Sequence, residues 1–170
     1  MLEPLIRGEA PRDPAGGLLR VEQFQMAYAT NDMQGALALF RQSYGIREFS
    51  ELQGAMPQGG HMHACFAWAG SIMYELIHAS GPGSEIFMDR VPDGDFALVH
   101  HHLGFLIRDE SEWQGLMRRV EEGGYTLAYQ NNTPGFIRYC FVESPPLEHY
   151  LEYLFPEPAA MAFFNDVPRN

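Results

Sequence analysis

Lysine is absent from this 170-residue chain, and its eleven arginines stand against twenty-two aspartates and glutamates, for a formal net charge of −11. Nucleic acids and anionic membrane surfaces are recognised by clustered basic side chains, so neither is expected as a partner. An anionic small molecule would need a local arginine, for which Arg47, Arg108 and Arg138 are the candidates. Cysteine is nearly absent as well. Cys65 and Cys140 each lie inside an apolar run, which suits two buried thiols better than the disulfide framework of a small secreted protein. No run approaches the roughly 20 apolar residues of a membrane-spanning helix. The amino terminus, MLEPLIRGEAPRDPAGG, lacks an apolar stretch of signal-peptide length. A cytoplasmic protein is expected. What the chain does contain is 46% apolar and 13% aromatic residues, enough for one domain with a core and a lined pocket.

The pattern is organised around His100 to Ile107, HHHLGFLI, where three histidines run into an apolar strand. Aligning Gln25 with His102 also places Asp32 on Asp109 and Glu75 on Glu152, all at one offset of 77 residues. The chain therefore reads as two copies of one unit, with a polar pair at the same spacing in each. Residues 1–20 form a Pro- and Gly-rich arm. In the first unit, residues 21–80, the strand FQMAYAT is followed by Asp32, a natural helix N-cap, then by a helix with apolar positions at Met33, Ala36, Leu37 and Phe40, stopped at Gly45. Three strands follow, the last two joined by a turn at Gly70. Residues 81–98 are a Gly/Pro linker that can fold over a site. The second unit, residues 99–155, repeats the plan, with Asp109 as cap and Trp113, Leu116, Met117 and Val120 as the buried helix face. Residues 156–170 are a tail, with AAMAFF read as a short turn docked by Phe163 and Phe164.

A carboxylate on a buried strand face is costly unless it is paired or bound to metal, which marks Glu152, between Leu151 and Tyr153, and Glu75 in IMYELI. His102 is a candidate metal ligand, and Gln25, at the matching position of the first unit, is either part of the same site or a satisfied polar residue. Strand alternation puts His100 on the face of His102, as a candidate substrate contact, and turns His101 away. His63 is a candidate pocket contact. Arg138 is either an anion contact or half of an ion pair.

Four segments, FQMAYATNDM, MYELIHA, HHLGFLI and FVESPPLEHYLEYL, in this order and at symmetric spacing, resemble the vicinal oxygen chelate superfamily over about Val21 to Phe155. That superfamily includes glyoxalase I, methylmalonyl-CoA epimerase, bleomycin and fosfomycin resistance proteins and extradiol dioxygenases. The resemblance implies an α+β fold of two tandem βαβββ modules whose cupped sheets present metal ligands from the first and fourth strand of each module. Here those positions are Gln25, Glu75, His102 and Glu152. The set resembles the zinc type of glyoxalase I, in which the metal polarises a carbonyl and a glutamate moves the proton. By that likeness Glu152 is the base, with Glu75 as the alternative, and the ion is zinc, or else nickel, cobalt, manganese or iron. An acyl-CoA epimerase uses a related set. Gln25 stands where ring-cleaving dioxygenases have a histidine, which disfavours that chemistry. A metal-free protein of the bleomycin-resistance type is the rival. A homodimer is expected, with the site either closed within one chain or shared between two.

Overall fold

The computed structural model describes residue 5 and residues 7–170; of the amino-terminal arm, residues 1–4 and 6 lie outside the described residues. Strand β1 (Glu22–Thr30) leads into helix α1 (Met33–Ser43), where the Asp32 carboxylate accepts from the Gly35 N–H and satisfies one of the orphan donors of the first turn. The chain leaves the helix through Gly45 at φ +74°, a left-handed conformation that only glycine adopts freely. Strands β2 (Ser50–Ala55), β3 (His61–Ala69) and β4 (Ile72–Ser80) complete the first module. The plan then recurs as β5 (Leu98–Leu106), α3 (Glu110–Glu122), β6 (Leu127–Thr133), β7 (Ile137–Ser144) and β8 (His149–Pro156), with Asp109 accepting from the Glu112 N–H. A cap bond of this kind contributes about 1 kcal/mol. Asp32→Ala is expected to lower the unfolding free energy in urea by about that amount with an unchanged m-value.

All eight strands form one curled mixed sheet in the order β2-β3-β4-β1-β5-β8-β7-β6. Within each module the first strand runs parallel to the fourth, and the modules meet at the antiparallel β1–β5 seam. Both faces are covered. On the convex side, α1 packs through Met33, Ala36, Leu37 and Phe40, and α3 through Trp113, Leu116 and Val120. The concave side forms a cup, whose apolar residues meet two further helices.

Those helices differ from the sequence expectations. The linker, read as a Gly/Pro segment without a helix, contains the short α2 (Glu85–Met88), whose Phe87 packs against Ala27, Ile77 and Phe141 on the concave face. The tail is a nine-residue helix, α4 (Pro158–Asp166), rather than a turn. Proline suits a first helical turn because its missing N–H would be unpaired there anyway. The burial of Ala160 and Phe164 against Phe24, Phe66 and Leu154 then holds the helix in the cup. Beyond it, the Trp68 N–H donates to the Pro168 carbonyl and the Asn170 N–H to the Trp68 carbonyl. The described part of the arm docks on the second module, where Arg12 pairs with Asp109 at 2.9 Å and with the buried Glu112, and the Tyr153 hydroxyl donates to the Leu18 carbonyl.

Cys65 and Cys140 are free and fully buried, and burial is the main cause that pushes both thiols up to about 12. Neither is a ready nucleophile at neutral pH.

Candidate active site

Register decides which side chains meet at the floor of the cup. In the first module Ala27, not Gln25, pairs with Glu75; in the second, Gly104, not His102, pairs with Glu152. Across the seam Gln25 lies opposite Gly104 and Ala27 opposite His102. With a side-chain period of two, Gln25 and Ala27 share a face, as do His102 and Gly104. Four polar side chains thus ring a centre occupied by the two smallest residues, related by the same 77-residue offset. A Cβ at Gly104 would fall 2.7 Å from the Cβ of Gln25, so this position has no room for a side chain.

Gln25, Glu75, His102 and Glu152, all supplied by one chain, are buried together. The Gln25 amide donates to Glu75 Oε2 at 2.7 Å. His102 Nε2 lies 2.9 Å from Glu152 Oε2 and 3.3 Å from Glu75 Oε2. Short as these separations are, Gln25 Oε1, His102 Nε2 and Glu152 Oε2 have no aligned hydrogen-bond partner. Leaving a buried polar atom unpaired costs about 1–3 kcal/mol, as Gln25 Oε1 is here, while His102 Nε2 and Glu152 Oε2 are held by charge attraction without an aligned hydrogen bond, an arrangement that a cation would satisfy. One imidazole, two carboxylates and an amide oxygen are a donor set suited to a divalent ion of the zinc group. The carboxylates and the imidazole have ligand atoms within 4.8 Å of one another. The residues fit a metal.

A β-bulge orients the imidazole. Ala27 pairs with His102 but Tyr28 pairs with His100, so His101 is an extra residue that breaks the alternation and turns its ring toward His102. Phe24 is the matching extra residue in β1, again directly before the site residue. His101 Nε2 lies 2.8 Å from the Ile86 carbonyl, which can only accept, so this nitrogen carries a proton. His101 Nδ1 lies 2.8 Å from His102 Nδ1. A neutral His101 therefore accepts there from the Nδ1–H of His102. The relay leaves His102 Nε2 as the nitrogen aimed at the carboxylates, the tautomer a metal ligand requires. Burial first, and then the charge of His102, hold the His101 pKa down at about 3, so His101 stays neutral. His101→Phe removes this acceptor and is expected to weaken metal affinity about 10- to 100-fold with the fold intact, as read by competition with a chromogenic chelator.

Burial opposes a charge on His102, but Glu152 and Glu75 outweigh it and raise its pKa to about 9. Burial likewise raises Glu75 above the usual carboxylate range, against the pull of His102. Without metal at neutral pH, His102 is an imidazolium whose Nε2 proton sits where a cation would bind. Metal uptake must displace that proton. Uptake is therefore expected to release about one proton per ion below pH 9, and the apparent affinity to rise about tenfold per pH unit toward that value. Calorimetry in buffers of different ionisation enthalpy checks both.

Above these donors is a cavity of about 90 Å³, walled by Phe66, Ile77, Phe87, Ile137, Phe163 and Phe164 among others. It adjoins a chamber of about 280 Å³ between the β2 and β6 edges, with which it shares Leu52, Met62, Phe87, Phe136, Ile137 and Tyr139. The contributions of α2 and α4 to these walls were not visible in the sequence pattern.

Three other candidates lie on the convex face. His100 points away from the cup, with its ring 5.5 Å from Tyr28 and 4.5 Å from His149, because the bulge exchanges its place with that of His101. His63 pairs with Glu51 at 3.1 Å and lies beside Cys65, under the α1 side of the sheet. Arg138 stacks over Trp113 of α3 at 4.3 Å and pairs with Glu110, which makes it half of an ion pair rather than an anion contact. None of the three reaches the floor.

No protein-family model matches the chain, and no curated protein does. Solved structures do. Methylmalonyl-CoA epimerase from Mycobacterium tuberculosis aligns with a TM-score of 0.53 at 17% identity, over 82% of this chain and 91% of that one. A Streptomyces coelicolor methylmalonyl-CoA epimerase variant in complex with 2-nitronate-propionyl-CoA gives 0.56 at 15% identity, over 82% and 97%. The chain has the vicinal oxygen chelate fold. A 4-hydroxymandelate synthase mutant from Streptomyces coelicolor shares it, with a TM-score of 0.51 at 16% identity, over 81% of this chain and 49% of the other. At these identities the likeness concerns the fold, and the chemistry has to be argued from the cup itself.

Proposed function

We propose that this chain is a metal-dependent lyase or isomerase of the glyoxalase I or acyl-CoA epimerase type, which moves a proton on the carbon next to a carbonyl. The observation that carries the proposal is the convergence of Gln25 Oε1, His102 Nε2 and Glu152 Oε2, buried and without aligned partners, beside Glu75. A divalent ion held by these four residues, zinc first among zinc, nickel, cobalt, manganese and iron, supplies a Lewis acid for a substrate carbonyl oxygen. The chain's own residues do the rest. Glu152 takes the proton from the adjacent carbon, and Glu75, from the other module, is the second carboxylate able to hold one. Return of the proton by the opposite carboxylate to the same carbon gives epimerisation. Return by the same carboxylate to the neighbouring carbon gives isomerisation. The apolar walls keep water from the carbanion equivalent, and His101 keeps the His102 ring in place.

The test is metal content of protein purified without tag or chelator, together with deuterium exchange next to the carbonyl of enolisable thioesters and hemithioacetals. About one divalent ion per chain is expected, with exchange lost on its removal and restored by adding it back. If the protein takes up none of the five metals, the catalytic reading falls. The apolar cavity then favours a metal-free binding protein of the bleomycin-resistance type, whose ligands are found by thermal shift.

A further inference from the structure

We infer that the cup takes a small, uncharged, apolar carbonyl compound, aromatic or branched aliphatic, presented free and not on an anionic carrier such as coenzyme A or glutathione. This names the substrate class of the site proposed above and rests on that reading. The first observation is a census of cations. The chain has no lysine, all eleven arginines are at described positions, and none of them lines the cavity or the adjoining chamber. Arg90 is held over the Tyr150 ring at 4.5 Å and donates to the Glu148 carbonyl. Arg138, the arginine closest in sequence to the chamber wall, is on the convex face with Glu110.

The second observation is the sign of the floor. Two buried carboxylates stand there, in a chain of net charge −11, so one divalent ion neutralises the floor without making it attractive to a phosphate. Binding an anionic carrier would place several further negative charges at a rim with no arginine among its lining residues. The third is the wall itself. Phe66, Phe87, Phe136, Phe163 and Phe164 present ring surface, and the polar residues of the outer chamber are the neutral Gln53, Asn131, Thr133, Tyr129 and Tyr139. A ring or branched chain gains from burying apolar area there, while neutral rim groups suffice for one or two hydrogen bonds.

Matched thioesters with the same ring and carbonyl test this: S-ethyl thiobenzoate against benzoyl-coenzyme A and S-benzoylglutathione, each titrated by calorimetry into protein whose zinc content is measured in the same sample. The truncated thioester is expected to bind about tenfold or more tightly than either conjugate, with little dependence on salt. Leu52→Arg, a half-exposed change at the rim, is expected to narrow that gap by supplying the conjugates with a countercharge. Equal or tighter binding of a conjugate by the zinc-loaded protein overturns the inference and leaves the metal reading standing. Uptake of none of the five metals overturns the metal reading, and the ranking of the three thioesters, none of which needs a metal to bind, still decides this one.

Discussion

Glu152→Gln is expected to reduce proton exchange next to the carbonyl by about 100-fold or more, and to weaken metal binding, in a chain that still folds. Glutamine keeps the volume and polarity of the side chain, and residue 152 sits in the middle of β8 between Leu151 and Tyr153, both buried to about 1% exposure or less. What the substitution removes is the negative charge 2.9 Å from His102 Nε2, leaving Glu75 as the one carboxylate at that nitrogen among the described residues. The His102 pKa, raised to about 9 by the two carboxylates against burial, is expected to fall, because one of its two anions is gone. Imidazole resonances followed by NMR through the titration report this independently of turnover. Three readouts thus bear on one residue: metal content, exchange rate and the His102 titration. Unchanged exchange with unchanged metal content would remove Glu152 from both roles. A fallen His102 pKa with unchanged exchange would leave Glu152 as an electrostatic partner alone and move the base to Glu75.

Gly104→Ala is the second change expected to have a large effect, although it adds only one carbon. That carbon would meet Gln25 Cβ at 2.7 Å and Gln25 Cδ at 3.2 Å. A long side chain can swing its end away, but its Cβ is tied to the backbone, so the β1–β5 seam itself must open. This seam is where the two modules join. Overpacking at such a place costs about 1–3 kcal/mol, visible as a lower midpoint in urea. Displacing Gln25 also breaks its bond to Glu75 and moves an oxygen off the floor, so metal affinity is expected to fall about 10- to 100-fold. Ala27→Gly, at the symmetry-related position, is the control: it loses a methyl and some strand preference, about 1 kcal/mol at most, but leaves the four polar side chains where they are. Wild-type metal affinity in Gly104→Ala would show that Gln25 does not belong to the donor set.

Several parts of this molecule were legible in the chain because their causes are local or repeated. The caps at Asp32 and Asp109 depend on a side chain and an N–H three residues away. The 77-residue offset was legible because both modules use the same register between their first and fourth strands, so the four residues that meet at the floor recur at fixed positions. The face assignments of His63, His100 and Arg138 were not legible. Alternation tells which residues share a face, but this sheet is covered on both sides, by α1 and α3 outside and by α2 and α4 inside, and both faces therefore read as apolar. Nor does alternation survive a bulge. One extra residue in β5 brought His101, read as facing away, to His102 and sent His100 to the convex side.

By itself, then, the sequence determined the modules, the helix caps, the acidic net charge and the four residues at matching positions, because each follows from spacing or composition. Only the tertiary structure decided that these four side chains close into one site within a single chain, that His101 sets the tautomer of His102, and that Phe87, Phe163 and Phe164 wall the cavity. Those outcomes depend on the curl of the sheet, on the bulges at the seam and on two short helices that pack into the cup. Their stability comes from burial against residues far away in the chain, which no local pattern records.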